Sequence, residues 1–505
     1  MTMASGEDVA ADMTGNEKRA NGPVPGDLSL YDVEFRRSAE LADAGYYPSL
    51  NGAEIADAHR SGLFPAATFT GSRTGENAVF AWHSQDMFQG TAYLNNRRPG
   101  ELFLTGGCFP ALDGPVEPGP YVARVDATTG AQIWRTYLDN ANVSGQWIAA
   151  TNLNILAGGT IVTSWGASVV LLDADTGRIL KHSTLPTGPT PRADSNFKHL
   201  TVAPDGTLIL KNQTRPAGNT QQGSLAIVAG VMAGLQQTNS EIVAVHPETL
   251  EVLDHVSMPE PATTPHTITT FDGRIAIYIA ADVHAYRYYW DPQTSKLSQD
   301  HDWTIPYLAE GQKTGDAPGM MGEWIAIQTN GLVSPVPSSV VAISQRDPDR
   351  VTTIQPFGPL EPGQMSFAPP KTGTDPGNHM LYSADLGVGK VAGIRLDPSS
   401  GEMTVQFLID DSTAAFQPLI GDQDERVLIL SDMQPDDPGK AGLAMLMSGS
   451  YHERVTWHEA ATGRILAASD PLEPLTPGSL ITPGYGGRLY YPTATGFITL
   501  QLVPA

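Results

Sequence analysis

The stretch Tyr121-Val-Ala-Arg-Val-Asp126-Ala-Thr-Thr-Gly130-Ala-Gln-Ile-Trp134-Arg-Thr-Tyr-Leu138 decides the fold. A β-rich run ends in an acidic turn, and a second short strand follows it. The pattern recurs as VVLLDADTGRILKHSTL from Val169 and EIVAVHPETLEVLDHVSM from Glu241, then as HAYRYYWDPQTSKL from His284. Further copies are VVAISQRDPDRVTTI from Val340, VAGIRLDPSSGEMTVQFLI from Val391 and VTWHEAATGRILAA from Val455. The aligned turn positions are Asp126, Asp173, His246, Asp291, Ser344, Asp397 and Glu459, with spacings of 47, 73, 45, 53, 53 and 62 residues. Most of these match the length of one four-stranded propeller blade.

Working outward, each unit reads as four strands. In the second, Trp147–Leu156 is strand a, Thr160–Trp165 is b, Ser168–Leu172 is c and Arg178–Leu185 is d. Pro-Asp-Gly at 204–206 and Phe-Asp-Gly at 271–273 are tight a–b turns. After the seventh copy, Leu480–Pro504 offers strands at Arg488–Tyr491 and Phe497–Leu502 but no final one. An N-terminal strand, Ala78–Trp82, can supply it and close a ring of eight blades; seven is the alternative. The expectation is an all-β propeller over 64–505, with insertions at 212–239 and 433–453. A polar segment with short helices precedes it over 1–63. Asn51–Gly62 reads as one such helix, with Asn51 as N-cap and Glu54 three residues on.

Asp126-Ala-Thr-Thr129-Gly130-Ala-Gln-Ile-Trp134 resembles the repeat of the PQQ-like, or quinoprotein-type, β-propellers. In that superfamily the turn is D-x-x-T-G and the tryptophan docks one blade on the next. Only the first copy keeps the tryptophan, while Asp173–Gly177 and Ala461–Gly463 keep part of the turn, so the resemblance is to a distant member. It implies a fold and no single activity, because the superfamily holds dehydrogenases, lyases, hydrolases and scaffolds.

Composition narrows the partners. The 505 residues carry 30 basic and 54 acidic side chains, a net charge of −24, which argues against nucleic acid. No run is long and apolar enough for a transmembrane segment. Met1–Pro25 is polar and acidic with no apolar signal core. A periplasmic or extracellular location would follow if a signal peptide had been removed, a cytoplasmic one otherwise. Cys108 is the single cysteine, so an intramolecular disulfide and a multi-cysteine metal site are excluded; it reads as a small buried apolar residue. No phosphate-binding loop, nucleophile elbow or dinucleotide fingerprint is present.

In a propeller the d–a and b–c loops share one face, the usual functional mouth. The d–a loops should bring His83, Gln146, Trp147, Arg192, Asp194, Lys198, His199, His266, Glu323 and Trp324 there. The b–c loops should bring Trp165, Asp282, His284, Asp385, Lys390, Asp432, Tyr451 and His452. Histidines 182, 246, 255 and 458 fall in hairpins or outer strands and read as structural. His199 and His266 open strand a on neighbouring blades and are the expected acid/base pair, with Asp194, Glu323 and His284 as catalytic partners. Lys198 alternates with His199, so one of the two should face the channel. Trp147, Trp165, Lys198, Trp324, Tyr451 and His452 are the expected substrate-binding residues. The sequence requires no cofactor. A metal bound by His199 and His266 would need His83 or His284 to complete it.

Both long insertions rise over the mouth and carry apolar runs, Ser224–Leu235 and Gly442–Met447. The first has a helix-compatible length and reads as a lid, or the two pack on each other. The chain thus reads as an enzyme acting on a small, largely hydrophobic substrate by acid/base chemistry, of lyase, hydratase, isomerase or hydrolase type. The alternatives are a non-catalytic scaffold or binding protein and a quinone-dependent oxidoreductase. Quinoprotein alcohol dehydrogenases of the resembled superfamily carry a vicinal disulfide that one cysteine cannot form.

Overall fold

Among the described residues, eight four-stranded antiparallel blades dominate, one of them extended by a fifth, parallel strand, beside a separate two-stranded sheet. The structure, a computed structural model, describes residues 23–84, 88–109, 114–115, 119–138, 146–147, 152–369, 371–414, 417–437, 442–476 and 478–505. The eight blades form one propeller, numbered here from the blade that begins at Leu94. Blades 1 to 7 each run a-b-c-d in chain order. Part of the expected second strand a, residues 148–151, lies outside the described residues.

Blade 8 is assembled from both ends of the chain. Its strands a to c are Thr482–Gly484, Arg488–Pro492 and Phe497–Pro504, and Asn77–His83 pairs antiparallel to the last as strand d. The closure explains why eight blades show only seven acidic turns: blade 8 has no c–d hairpin to carry one.

All seven aligned turn positions fall in c–d hairpins, and their side chains build those turns. Asp126 accepts from the Thr128 and Thr129 backbone N–H groups, and Asp173 and Asp397 do the same in their own hairpins. His246 Nδ1 and Ser344 Oγ take the same position relative to the backbone N–H groups that follow. A left-handed residue ends the turn. It is Gly130 at φ 70° and Gly177 at φ 72°, but Leu250 at φ 56° in blade 3, an unusual position for a bulky residue.

Aromatic side chains on strand d lock neighbouring blades. Trp134 donates to the Ala174 carbonyl at 3.2 Å and lies over Gly177, where a Cβ would sit 2.5 Å from the ring. Trp82 covers Gly130, Phe407 covers Gly463, and Trp303 donates to the Ser344 carbonyl at 3.0 Å. The docking device therefore operates at blade interfaces whose own repeat lacks the D-x-x-T-G-x-x-x-W string.

Asn51–Gly62 is not a helix. It is a series of turns in which Ala56 and Arg60 take left-handed backbone conformations, φ 63° and 51°. The helix of this region is Tyr31–Leu41 instead, and it rests on the a–b face, where Glu34 accepts from Gly486 N and Arg37 pairs with Asp422. No described helix is long and apolar enough to cross a membrane.

Candidate functional site

The segment from Tyr46 to Phe64 fills the lower part of the axial channel. Its backbone substitutes for a partner strand on the inner edge of blade after blade. Asn51 O accepts from Asn96 N in blade 1, and Gly52 O from Ile155 N in blade 2. Ala58 O accepts from Ile268 N in blade 4, Ser61 O from Thr374 N in blade 6 and Gly62 O from Leu419 N in blade 7. Leu63–Phe64 then pairs in parallel with Leu419–Ile420. The inner strands expose polar edges, and burying them unpaired would be costly. This plug satisfies them along the inner edges of blades 1, 2, 4, 6 and 7.

The plug brings charge with it. Arg60 and Glu54 form an ion pair at 3.0 Å with side chains only 2% and 5% exposed. Arg60 also donates to the carbonyls of His266 and Leu200, at 3.0 and 3.2 Å, which ties the plug to blades 3 and 4.

Around Arg60 the blades place Lys198, His199, Lys211, His266, Asp316 and Lys371, all within its electrostatic reach. Burial lowers the pKa of Lys198 and brings Lys371 down to about 8. Burial, then the Lys211 and Arg60 cations respectively, hold His199 and His266 well below the usual imidazole value, so both rings are neutral. Burial raises Asp316, opposed in part by Lys371 and Lys198. Every basic group of this floor except Lys198 is fully buried; Lys198 and Asp316 keep partial access to solvent. Lys198 Nζ lies 3.5 Å from Ser224 Oγ, beneath the first insertion.

The expected site residues divide. His199 and His266 are brought together, each buried, on adjacent blades joined at their inner strands. Lys198 joins them on the channel wall. His284 is on the mouth face but is engaged with Glu260 at 2.9 Å, beside Tyr286. Asp194 is held by Arg215 at 2.6 Å.

Glu323 and Trp324 belong to the opposite face. Strand a of blade 5 is Gly319–Met321, so Gly322-Glu323 is its a–b turn. Glu323 accepts from Ser344 Oγ, and Trp324 docks on the blade 6 turn through Pro398 O at 3.0 Å. Trp165 is packed between blades and stacks on His182 with centroids 5.6 Å apart. Tyr451 is buried with Met445, Phe367 and Leu386, and His452 pairs with Asp436 at the rim. Asp316 and Lys371 were not anticipated. They lie in the d–a loops that follow blades 4 and 5, and the misplaced start of blade 5 hid the first of them.

The first insertion contains a helix, Leu225–Met232, whose Ala226 and Ile227 pack on Trp147, with Trp147 Nε1 donating to Gly223 O at 3.0 Å. The second is shorter than expected, because strands Val427–Pro435 and Tyr451–Glu459 pair along their whole length. Its helix, Leu443–Ser448, packs on Phe367 and Leu386, and residues 438–441 lie outside the described residues. The two apolar runs belong to separate clusters rather than to each other.

The quinone-dependent alternative finds no support among these residues. Cys108 has no second cysteine with which to form the disulfide floor. The described residues bring no three His, Cys, Asp or Glu side chains into an arrangement that could hold a metal ion, His199 and His266 included.

No family model and no curated protein sequence matches the chain. Solved structures do. Quinohemoprotein alcohol dehydrogenase from Comamonas testosteroni shares 11% identity over 94% of this chain and 83% of its own, with a TM-score of 0.51. BamB from Moraxella catarrhalis shares 13% identity over 84% of this chain and 98% of its own, with a TM-score of 0.46. A functionally unknown protein from Desulfotomaculum acetoxidans shares 9% identity over 72% and 96%, with a TM-score of 0.43. The likeness to the dehydrogenase shows the fold alone, a β-propeller, and assigns no family.

Proposed function

We propose that the chain is an enzyme acting on a small organic substrate by acid/base chemistry at the d–a and b–c mouth of the propeller. Lys198 serves as the base and Asp316 as the acid. The observation that carries the reading is that Lys198 alone among the basic groups of the floor is only partly buried, while Ser224 Oγ is the hydrogen-bond partner of its Nζ.

Both shifts run toward the neutral forms, which leaves an amine able to take a proton and a carboxyl able to give one. His199 and His266, neutral behind Lys198, are the secondary candidates. The apolar insertion above suits a substrate with a hydrophobic body and one reactive polar group. Lyase, hydratase, isomerase and hydrolase steps all require such a pair.

The test is a substrate screen on the whole chain. Lys198→Met should lower turnover by about 10²–10⁴-fold, the usual contribution of a positioned base, with an unchanged circular dichroism spectrum. Full activity in that variant would end the assignment.

The scaffold reading has one observation in its favour, Val231 and Met232 exposed at 42% and 80% on the mouth-face insertion. Loss of partner binding on Met232→Glu, with no turnover found for any substrate, would favour it.

A further inference from the structure

The carboxylates of the channel floor leave hydrogen-bond donors of its basic groups unfilled, although Asp316 acts electrostatically on both Lys198 and Lys371. Glu54 is taken by Arg60 at 3.0 Å. Asp57 is taken by the Ser61 backbone and hydroxyl at 2.9 and 2.5 Å. Lys371 donates to the Thr372 carbonyl at 3.2 Å, and Lys211 to the carbonyls of Asn212 and Ala262. Arg60 uses Nε and Nη2, but its Nη1 is buried with no hydrogen-bond partner. Among the described residues, Lys198 hydrogen-bonds to the Ser224 hydroxyl and forms no direct ion pair, with Glu54 and Asp316 acting on it at longer range. A buried guanidinium N–H left unmade is a substantial cost, and a guanidinium lacks any acceptor role, so its partner must be an oxygen or similar acceptor. The concentration of cations is local, since the protein as a whole carries a net charge of −24.

We propose that this floor binds an oxyanion, the carboxylate or phosphate group of the substrate, between Lys198 on the wall and Nη1 of Arg60 on the plug. The inference rests on the reading of the mouth as a substrate site, and it names the class of molecule that enters. The anionic group goes down to the plug, and the rest of the molecule extends toward the insertion that carries Ser224 and Trp147. Long-range repulsion by the acidic surface is overcome only at the bottom of the channel, where the dielectric is low and the cations converge.

Isothermal titration of the full chain with octanoate, inorganic phosphate and neutral octanamide tests this. At least one oxyanion should bind, and octanamide should not match it. Octanoate as the binder identifies a carboxylate, phosphate a phosphoryl group. Lys198→Met should weaken that binding at least about tenfold, the worth of one charge-assisted hydrogen bond. Lys198→Arg, which keeps N–H donors toward the oxyanion and removes the base, should retain binding within about threefold. Absence of saturable binding by either oxyanion, equal binding of octanamide, or no effect of Lys198→Met would overturn the proposal. Turnover reports separately on the acid/base role: loss of turnover in Lys198→Arg with binding retained supports both readings, whereas retained turnover there removes Lys198 as the base and leaves the oxyanion site standing.

Discussion

Replacing Arg60 with alanine is expected to lower the free energy of unfolding by about 3–5 kcal/mol, the cost of breaking a buried ion pair from one side. The reason lies in what stays behind. Glu54 is almost fully buried and would keep its charge with no guanidinium opposite it. The carbonyls of His266 and Leu200, on two different blades, would lose their donor at the same time. Because the inner strands of the blades bond to the plug rather than to one another, a loosened plug exposes polar edges around the ring. Denaturant titration measures the loss, and proteolysis within 46–64 should accelerate in parallel. The double variant Glu54→Gln/Arg60→Met removes both charges and should recover much of the stability. A loss below about 1 kcal/mol, the value of a surface pair, would mean that the plug is not seated in the channel.

Glu453→Gln should act in the opposite direction, and only at neutral and alkaline pH. Glu453 is buried among Ser431, Tyr491 and the Leu475 backbone, and burial pushes its carboxyl from 4.5 to about 7. Asp411, also buried, is raised by burial and then by Asp432 and Glu453. A carboxyl with a raised folded pKa binds more protons folded than unfolded. Folding is therefore unpenalised below the unfolded value, and stability falls as pH rises from about 4.5 to about 7. Above that window the wild-type chain bears the whole cost, about 3 kcal/mol for Glu453 alone. Glutamine removes the charge and keeps a carbonyl for the Leu475 N–H. The variant should thus equal the wild type near pH 4 and exceed it by about 3 kcal/mol at pH 8. A difference that does not change with pH would contradict this account of the buried carboxyl.

The ring was legible because its signal is local and repeated. An aspartate that caps its own turn must be followed by the same few residues, so seven c–d hairpins could be read directly. The missing eighth, together with an orphan strand at Ala78–Trp82, pointed to closure from the N-terminus. The plug was not legible for the opposite reason. Asn51 and Glu54 imitate a capping box, but their partners are Leu94 in blade 1 and Arg60 within the plug, contacts that no local pattern encodes. The docking aromatics were only partly visible: Trp82, Trp303 and Phe407 serve the role of Trp134 from strand d without its turn spacing. The site was read in part. Lys198, His199 and His266 follow from the start of strand a in blades 3 and 4. Asp316 and Lys371 escaped because the inner strands of blades 5 and 6 are three residues each, too short for an alternation to locate their loops.

In the proposed site Lys198 is a partly buried amine whose pKa burial lowers. The most direct measurement is the pH profile of its acylation by a small amine reagent in the native protein, read by peptide mass spectrometry against exposed Lys181 and Lys296. Lys198 should be labelled in the folded state with a midpoint below the usual lysine value of 10.5. A midpoint for Lys198 at or above 10.5, or reaction only after unfolding, would contradict the assignment.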